Sequence, residues 1–185
     1  MKKKTNNKDS VSLNITRVTR TIYFFIVGYM LSIIIFDSWN LLTREAIIDR
    51  WTIASMLLVA NTFAWYVAVQ KNITLKKLAI PLLVLALLVF AGLTTYWERG
   101  MASTSTILYA LPLLVIATAK NRHALQATAI LAAGTYAFAA VKYFNDFFNE
   151  GFRIQLWGTI LIVTVTIFTC SWLIMNIAGL RRDSK

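Results

Sequence analysis

The chain has 185 residues, a length that one domain accounts for; 58% are apolar, only 15% are charged, and the net charge is +11. A soluble domain of this size carries about a quarter charged residues, so this composition, with a mean hydropathy of +0.62, excludes an ordinary water-soluble globule. A single cysteine, Cys170, and a single histidine, His123, exclude an intrachain disulfide, a thiolate-held metal and the commonest imidazole sites, and no cofactor is expected.

The first twenty residues form a basic lead, with Lys2, Lys3, Lys4, Lys8, Arg17 and Arg20 against Asp9 alone. Positive charge placed this way determines topology and also attracts anionic lipid at the cytoplasmic face, each charge contributing about 1 kcal/mol near the surface. A lysine-rich start before an apolar run also suits a cleaved signal peptide. No small-residue cleavage motif follows Phe36, so the first span is read as retained.

Six uncharged runs follow: Thr21–Phe36, Trp51–Gln70, Leu78–Trp97, Met101–Ala119, Ala124–Val141 and Ile154–Leu180. A hydrocarbon core of about 30 Å needs roughly 20 helical residues. The expected membrane domain is therefore 21–180, with spans at about 21–39, 51–70, 78–97, 101–119, 123–143 and 154–178. The first reaches full length only by taking in Asp37–Trp39, and five spans or a re-entrant first segment is the alternative. The short end 181–185 is basic. Stretches such as Leu82–Phe90 show no apolar–polar alternation, which membrane strands require, and lipid offers an unpaired backbone no partners. The fold class is all-α: a polytopic membrane protein, a single bundle of six transmembrane helices.

Lys and Arg counts give an orientation. The segments 1–20, 71–77, 120–122 and 181–185 carry fourteen basic residues and two acids, whereas the opposite side carries five basic residues and six acids. Basic loops face the cytoplasm, so both termini are expected there in a multi-pass cell-membrane protein. Trp39, Trp51, Trp97 and Trp157 fall where spans meet the other face, as an aromatic belt places them. The basic charge lies in short connecting segments rather than on a folded basic surface, so nucleic acid is not an expected partner.

Proton relays, pumps and intramembrane hydrolases need ionisable groups at depth. No Asp, Glu, Lys, Arg or His lies mid-span, and no phosphate loop or nucleophile motif is present. The chain is accordingly not expected to be an enzyme. Two constellations remain as candidate binding sites. Asn61, Pro112, Thr135, Tyr136 and Thr166 reach one depth within about 5 Å on four helices. Pro112 deprives the Leu108 carbonyl of its amide partner and favours a kink. These groups either line a small cavity or serve structure, the threonines bonding their own helices and Asn61 joining two. Asp37, Glu98, Arg99, Lys142 and Asp146 gather at span ends on the outer side. They form either a vestibule for a polar ligand or ordinary solvated ends worth about 0–1 kcal/mol per ion pair. Lys142 and Asp146 are one helical turn apart and are expected to pair.

Span five has small residues at Ala129, Ala133 and Ala137, which let backbones approach closely, and it is placed at the bundle centre or at the seam of a homo-oligomer. The stretch Ile107-Leu-Tyr-Ala-Leu-Pro-Leu-Leu-Val, the basic turn Lys120–Arg122 and the Ala-rich span five resemble the helical membrane sensor modules of bacterial signalling proteins. That resemblance implies sensing coupled to a kinase or cyclase domain, which is not found in the five residues after span six. Size and topology also resemble the substrate-binding subunits of energy-coupling vitamin importers, although span one has only Gly28 and Ser32 at the spacing of their Ala-rich docking motif. The expected function is a non-catalytic membrane module that senses, binds or regulates through a partner protein. The alternative is a small-solute transport component.

Overall fold

The computed structural model describes the backbone of residues 3–70, 73–147 and 153–179, and the side chains of 14–70, 78–100, 102–147 and 154–179. The described residues are helical, without strands: α1 (Lys3–Ser38), α2 (Arg44–Val69), α3 (Ile73–Trp97), α4 (Ala110–Ala117), α5 (Arg122–Phe147) and α6 (Arg153–Ile177). Two 3₁₀ segments, Gly100–Ala102 and Thr104–Tyr109, precede α4. Five helices are long and apolar enough to cross a membrane, and the protein is a multi-pass membrane protein.

Span four departs from its expected 101–119. Its apolar helix runs over Thr104–Ala117 and is shorter than the other five. The cause is Pro112, which cannot give the Leu108 carbonyl an α-helical hydrogen bond. The chain before it winds as a 3₁₀-helix, and Pro112 sits in the first turn of α4, where a missing N–H costs least. At about 2.0 Å per 3₁₀ residue and 1.5 Å per α residue, the segment reaches about 24 Å. The kink expected from this proline is thus a change of helix type. A second departure lies at the start of the chain. Helix α1 begins at Lys3, inside the stretch read as a tail, since neither Gly nor Pro occurs before Gly28 to interrupt it. The basic end 181–185 lies outside the described residues.

The helices gather into two compact units, residues 1–86 and 87–185, and α3 gives its first half to one and its second half to the other. In the first unit α1 and α2 form a hairpin. Its turn carries Asn40 at φ 52°, and Thr43 caps α2 by accepting a hydrogen bond from the Ala46 amide at 3.3 Å. Along α1 the fully buried residues are Ile15, Thr19, Ile22, Ile26 and Ile33; along α2 they include Ala54, Leu57, Asn61, Ala64 and Ala68. The α2 set advances by alternating threes and fours and the α1 set by fours, threes and a final seven, the repeat of a coiled-coil seam. Its polar layer is Asn61 against Thr19, where the Asn61 Nδ2 donates to the Thr19 carbonyl at 3.0 Å.

In the second unit α5 packs against both α4 and α6. Its buried positions include Leu125, Thr128, Ala129, Ala132, Ala133, Tyr136, Ala139, Ala140 and Phe144, so small side chains set the helix spacing. Asn121 caps α5, its Oδ1 accepting from the amides of His123 and Ala124 at 3.0 and 3.2 Å. Helix α6 is the least enclosed span, with 17% of its core window buried against 61% for α3; most of its surface is left for lipid. All six tryptophans are exposed, from 36% at Trp51 to 72% at Trp39. Ala133→Leu should destabilise the protein by about 1–3 kcal/mol, because extra methylenes enter a closed helix seam. Val165→Leu on the exposed face of α6 should change little. Detergent thermal melts of both variants test this, and equal melting for Ala133→Leu and wild type would remove α5 as a packing seam.

Candidate functional site

The mid-depth groups do not share one kind of environment. Asn61 is fully buried in the first unit, held to Thr19 as described, while its Oδ1 is buried without a hydrogen-bond partner. In the second unit Pro112 is buried on α4 and Tyr136 is fully buried on α5. Thr135 is half-buried and Thr166 exposed. Both threonine hydroxyls donate to their own helix, to the carbonyls of Leu131 at 2.7 Å and Ile162 at 2.9 Å, as threonines in apolar helices do.

What the second unit assembles around Tyr136 is an aromatic and hydroxyl cluster. Tyr109 and Tyr136, both fully buried, meet edge to face at 5.7 Å with their rings at 90°. The Thr95 hydroxyl donates to the Ala91 carbonyl at 2.8 Å and lies 3.4 Å from the Tyr109 oxygen. The Tyr136 hydroxyl is buried with no partner. Tyr109 and Thr95 escaped sequence reasoning because each is an ordinary residue on an apolar helix until α3, α4 and α5 are brought together.

The residues at span ends fall into separate groups. Asp37 is exposed at the end of α1, its backbone carbonyl accepting from the Asn40 amide at 2.9 Å. Glu98 accepts hydrogen bonds from Ser103, at 3.3 Å, and from Ser105, which ties the end of α3 to the 3₁₀ segment. Arg99 takes a left-handed backbone at φ 77° and is exposed. Gly100 follows at φ 59°, and a Cβ there would lie 2.8 Å from the Tyr143 side chain; this turn therefore requires glycine on both counts.

Lys142 and Asp146 pair as expected, Nζ to Oδ1 at 2.8 Å. The second carboxylate oxygen accepts from the Tyr96 hydroxyl at 2.7 Å, a partner that sequence spacing could not supply. Around this trio Tyr143 stands edge-on to Tyr96 at 6.1 Å and stacks obliquely on Phe147 at 4.8 Å. Below it runs a groove of about 380 Å³ between α3 and α5. Its walls are Val89, Gly92, Leu93 and Tyr96 on α3, and Thr135, Phe138, Ala139 and Lys142 on α5. Each set follows i, i+3, i+4, i+7, one face of a helix over about 10 Å. Gly92 makes the close approach possible: a Cβ there would lie 2.7 Å from the Thr135 methyl. Phe138 is 73% and Val89 49% exposed, so the groove opens sideways from the helices.

The arrangement can hold an apolar chain along its length and a polar group at its mouth. Among the described residues no cluster of His, Cys, Asp and Glu could hold a metal ion. Compared with protein families, curated proteins and solved structures, the chain matches none of them.

Proposed function

We propose that this chain is a non-catalytic membrane module that binds an amphiphilic ligand drawn from the bilayer and passes its occupancy to a partner protein. The groove between α3 and α5 carries this reading, because it joins a lateral apolar opening to a hydrogen-bonded ionic mouth. Its volume falls within the roughly 300–1,000 Å³ of small-molecule sites. Among the described residues no Asp, Glu, Lys, Arg or His is buried, which favours binding over proton transfer. Affinity isolation of the tagged protein from native membranes, with and without mutation of the groove, tests the partner. Solute uptake into proteoliposomes without any stable partner would replace this reading with transport.

In this reading both termini are cytoplasmic, and Thr104–Ala117 completes a sixth crossing. The carrying observation is the basic bias of 1–20, 71–77, 120–122 and 181–185. In a Cys170→Ala background, cysteines at Ser38 and Thr104 should react with an impermeant thiol reagent on intact cells. Cysteines at Asn72 and Asn121 should react only after permeabilisation, and the reverse pattern would invert the protein.

A further inference from the structure

We propose that the groove selects a phospholipid with a zwitterionic, ethanolamine-type head, seated with its phosphate on Lys142 and its ammonium on Asp146. The inference deepens the proposed ligand-binding role and rests on it. Three features of the second unit carry it.

The first is the direction of opening. Phe138 and Val89, two of the most exposed groove residues, lie on apolar spans, so an occupant enters from the acyl region rather than from water. A second copy of the chain or a soluble metabolite would not use a slot whose walls are Val89, Leu93, Phe138 and Ala139.

The second feature is the unspent hydrogen-bonding capacity at the mouth. An ammonium group has three N–H donors, and Lys142 gives one to Asp146. Its side chain is 55% exposed, and that of Asp146 28%. Each Asp146 oxygen already accepts one hydrogen bond, from Lys142 or Tyr96, and has lone-pair capacity for another. Tyr96 and Lys142 fix the carboxylate in place, so its orientation is set before a ligand arrives.

The third feature is the order of charge along the helix. Lys142 is the last α5 residue to line the groove, and Asp146 lies one turn, about 6 Å, further toward the helix end. From inside to outside the site therefore reads apolar, positive, negative. A phospholipid with an ethanolamine head reads apolar, negative, positive in the same direction. A fatty acid or a phosphatidylglycerol satisfies Lys142 but brings no cation to Asp146. A cationic amphiphile meets Lys142 first and is repelled. The pairing is one of sequence as well as sign, and only a zwitterion with its anion nearer the chains matches both.

Native mass spectrometry of the full-length protein, purified in detergent and titrated with equal amounts of dioleoyl phosphatidylethanolamine and dioleoyl phosphatidylglycerol, reads the selection. The ethanolamine lipid should be retained roughly tenfold more strongly, the scale of one charge-assisted hydrogen bond. The double variant Lys142→Asp/Asp146→Lys keeps an i,i+4 pair but reverses the order of charge; it should lose that preference while its melting temperature stays near wild type. Asp146→Asn, which removes the outer charge alone, should bring the two lipids to equal retention and serves if the double variant does not fold. Equal retention of both lipids by the wild type would overturn the head-group assignment and leave the groove as a ligand site, as would an unchanged preference in the double variant. No retained lipid at all would overturn the ligand reading itself.

Discussion

Tyr136→Ala is expected to cost about 3–5 kcal/mol of stability, the range for deleting a large buried ring, whereas Tyr136→Phe should be neutral or slightly stabilising. The ring is fully buried on α5 and stands edge-on to Tyr109. Its α5 neighbours Ala132, Ala133, Ala139 and Ala140 are also buried, and methyl groups cannot move in to refill the space, so the alanine variant leaves a cavity whose lining loses its dispersion partners. The hydroxyl is another matter. It is buried and unpartnered, and a hydroxyl in that state subtracts about 1–3 kcal/mol from what the ring contributes. Phenylalanine keeps the ring and removes that burden. Denaturant titration of both variants in one detergent separates the two effects. Comparable losses for phenylalanine and alanine would mean that the hydroxyl holds this core and that Tyr136 has a polar partner in the membrane.

Tyr136 also illustrates what a one-dimensional reading of a membrane helix contains. Depth is legible, because residues rise about 1.5 Å each along a helix whose ends are marked by charge and tryptophan. Azimuth is not. Spacing alone puts Asn61, Tyr136 and Thr166 at one level, yet Asn61 and Tyr136 are buried while Thr166 is exposed and bonds the Ile162 carbonyl. A threonine on an apolar helix carries no sign of which way it points, since its own backbone satisfies its hydroxyl on either face. Four of the five long spans are legible for the opposite reason: uncharged runs of sufficient length have no other solution in lipid, whereas the first, Asn14–Ser38, takes charged residues in at both ends. Span four was legible as apolar but not as 3₁₀, because the missing amide of Pro112 can be accommodated either by bending or by tighter winding. Of the mouth of the groove, Lys142 and Asp146 could be read from their spacing of four. Tyr96, fifty residues before Asp146, enters only when α3 and α5 are side by side, and the signal that would have suggested it is Gly92, one turn earlier on the same face.

Asn61→Asp is expected to cost about 2.5–3.5 kcal/mol, the scale for an aspartate at the centre of a membrane span, while Asn61→Leu should stay within about 0.6 kcal/mol of wild type, the average for an interhelical hydrogen bond in a bundle. Asn61 is fully buried and its Nδ2 donates to the Thr19 carbonyl. An ionised aspartate replaces that donor with an acceptor, so two oxygens face each other in a seam closed by Ile15, Ile22, Ile53 and Leu57. Leucine loses the hydrogen bond but also removes the buried, unpartnered Oδ1, and the two changes oppose each other. The Tyr23–Thr62 hydrogen bond at 2.8 Å, one position along α2, survives both substitutions and keeps the hairpin aligned. The asparagine then serves register more than stability, as a single polar layer in a heptad seam does. Single-molecule or SDS-induced unfolding of the three proteins in matched bilayers or bicelles gives the ordering directly. Aspartate and leucine with the same small effect would mean that water reaches this position. Leucine that preserves stability but abolishes binding to a partner or lipid would give the free Oδ1 of Asn61 a ligand of its own.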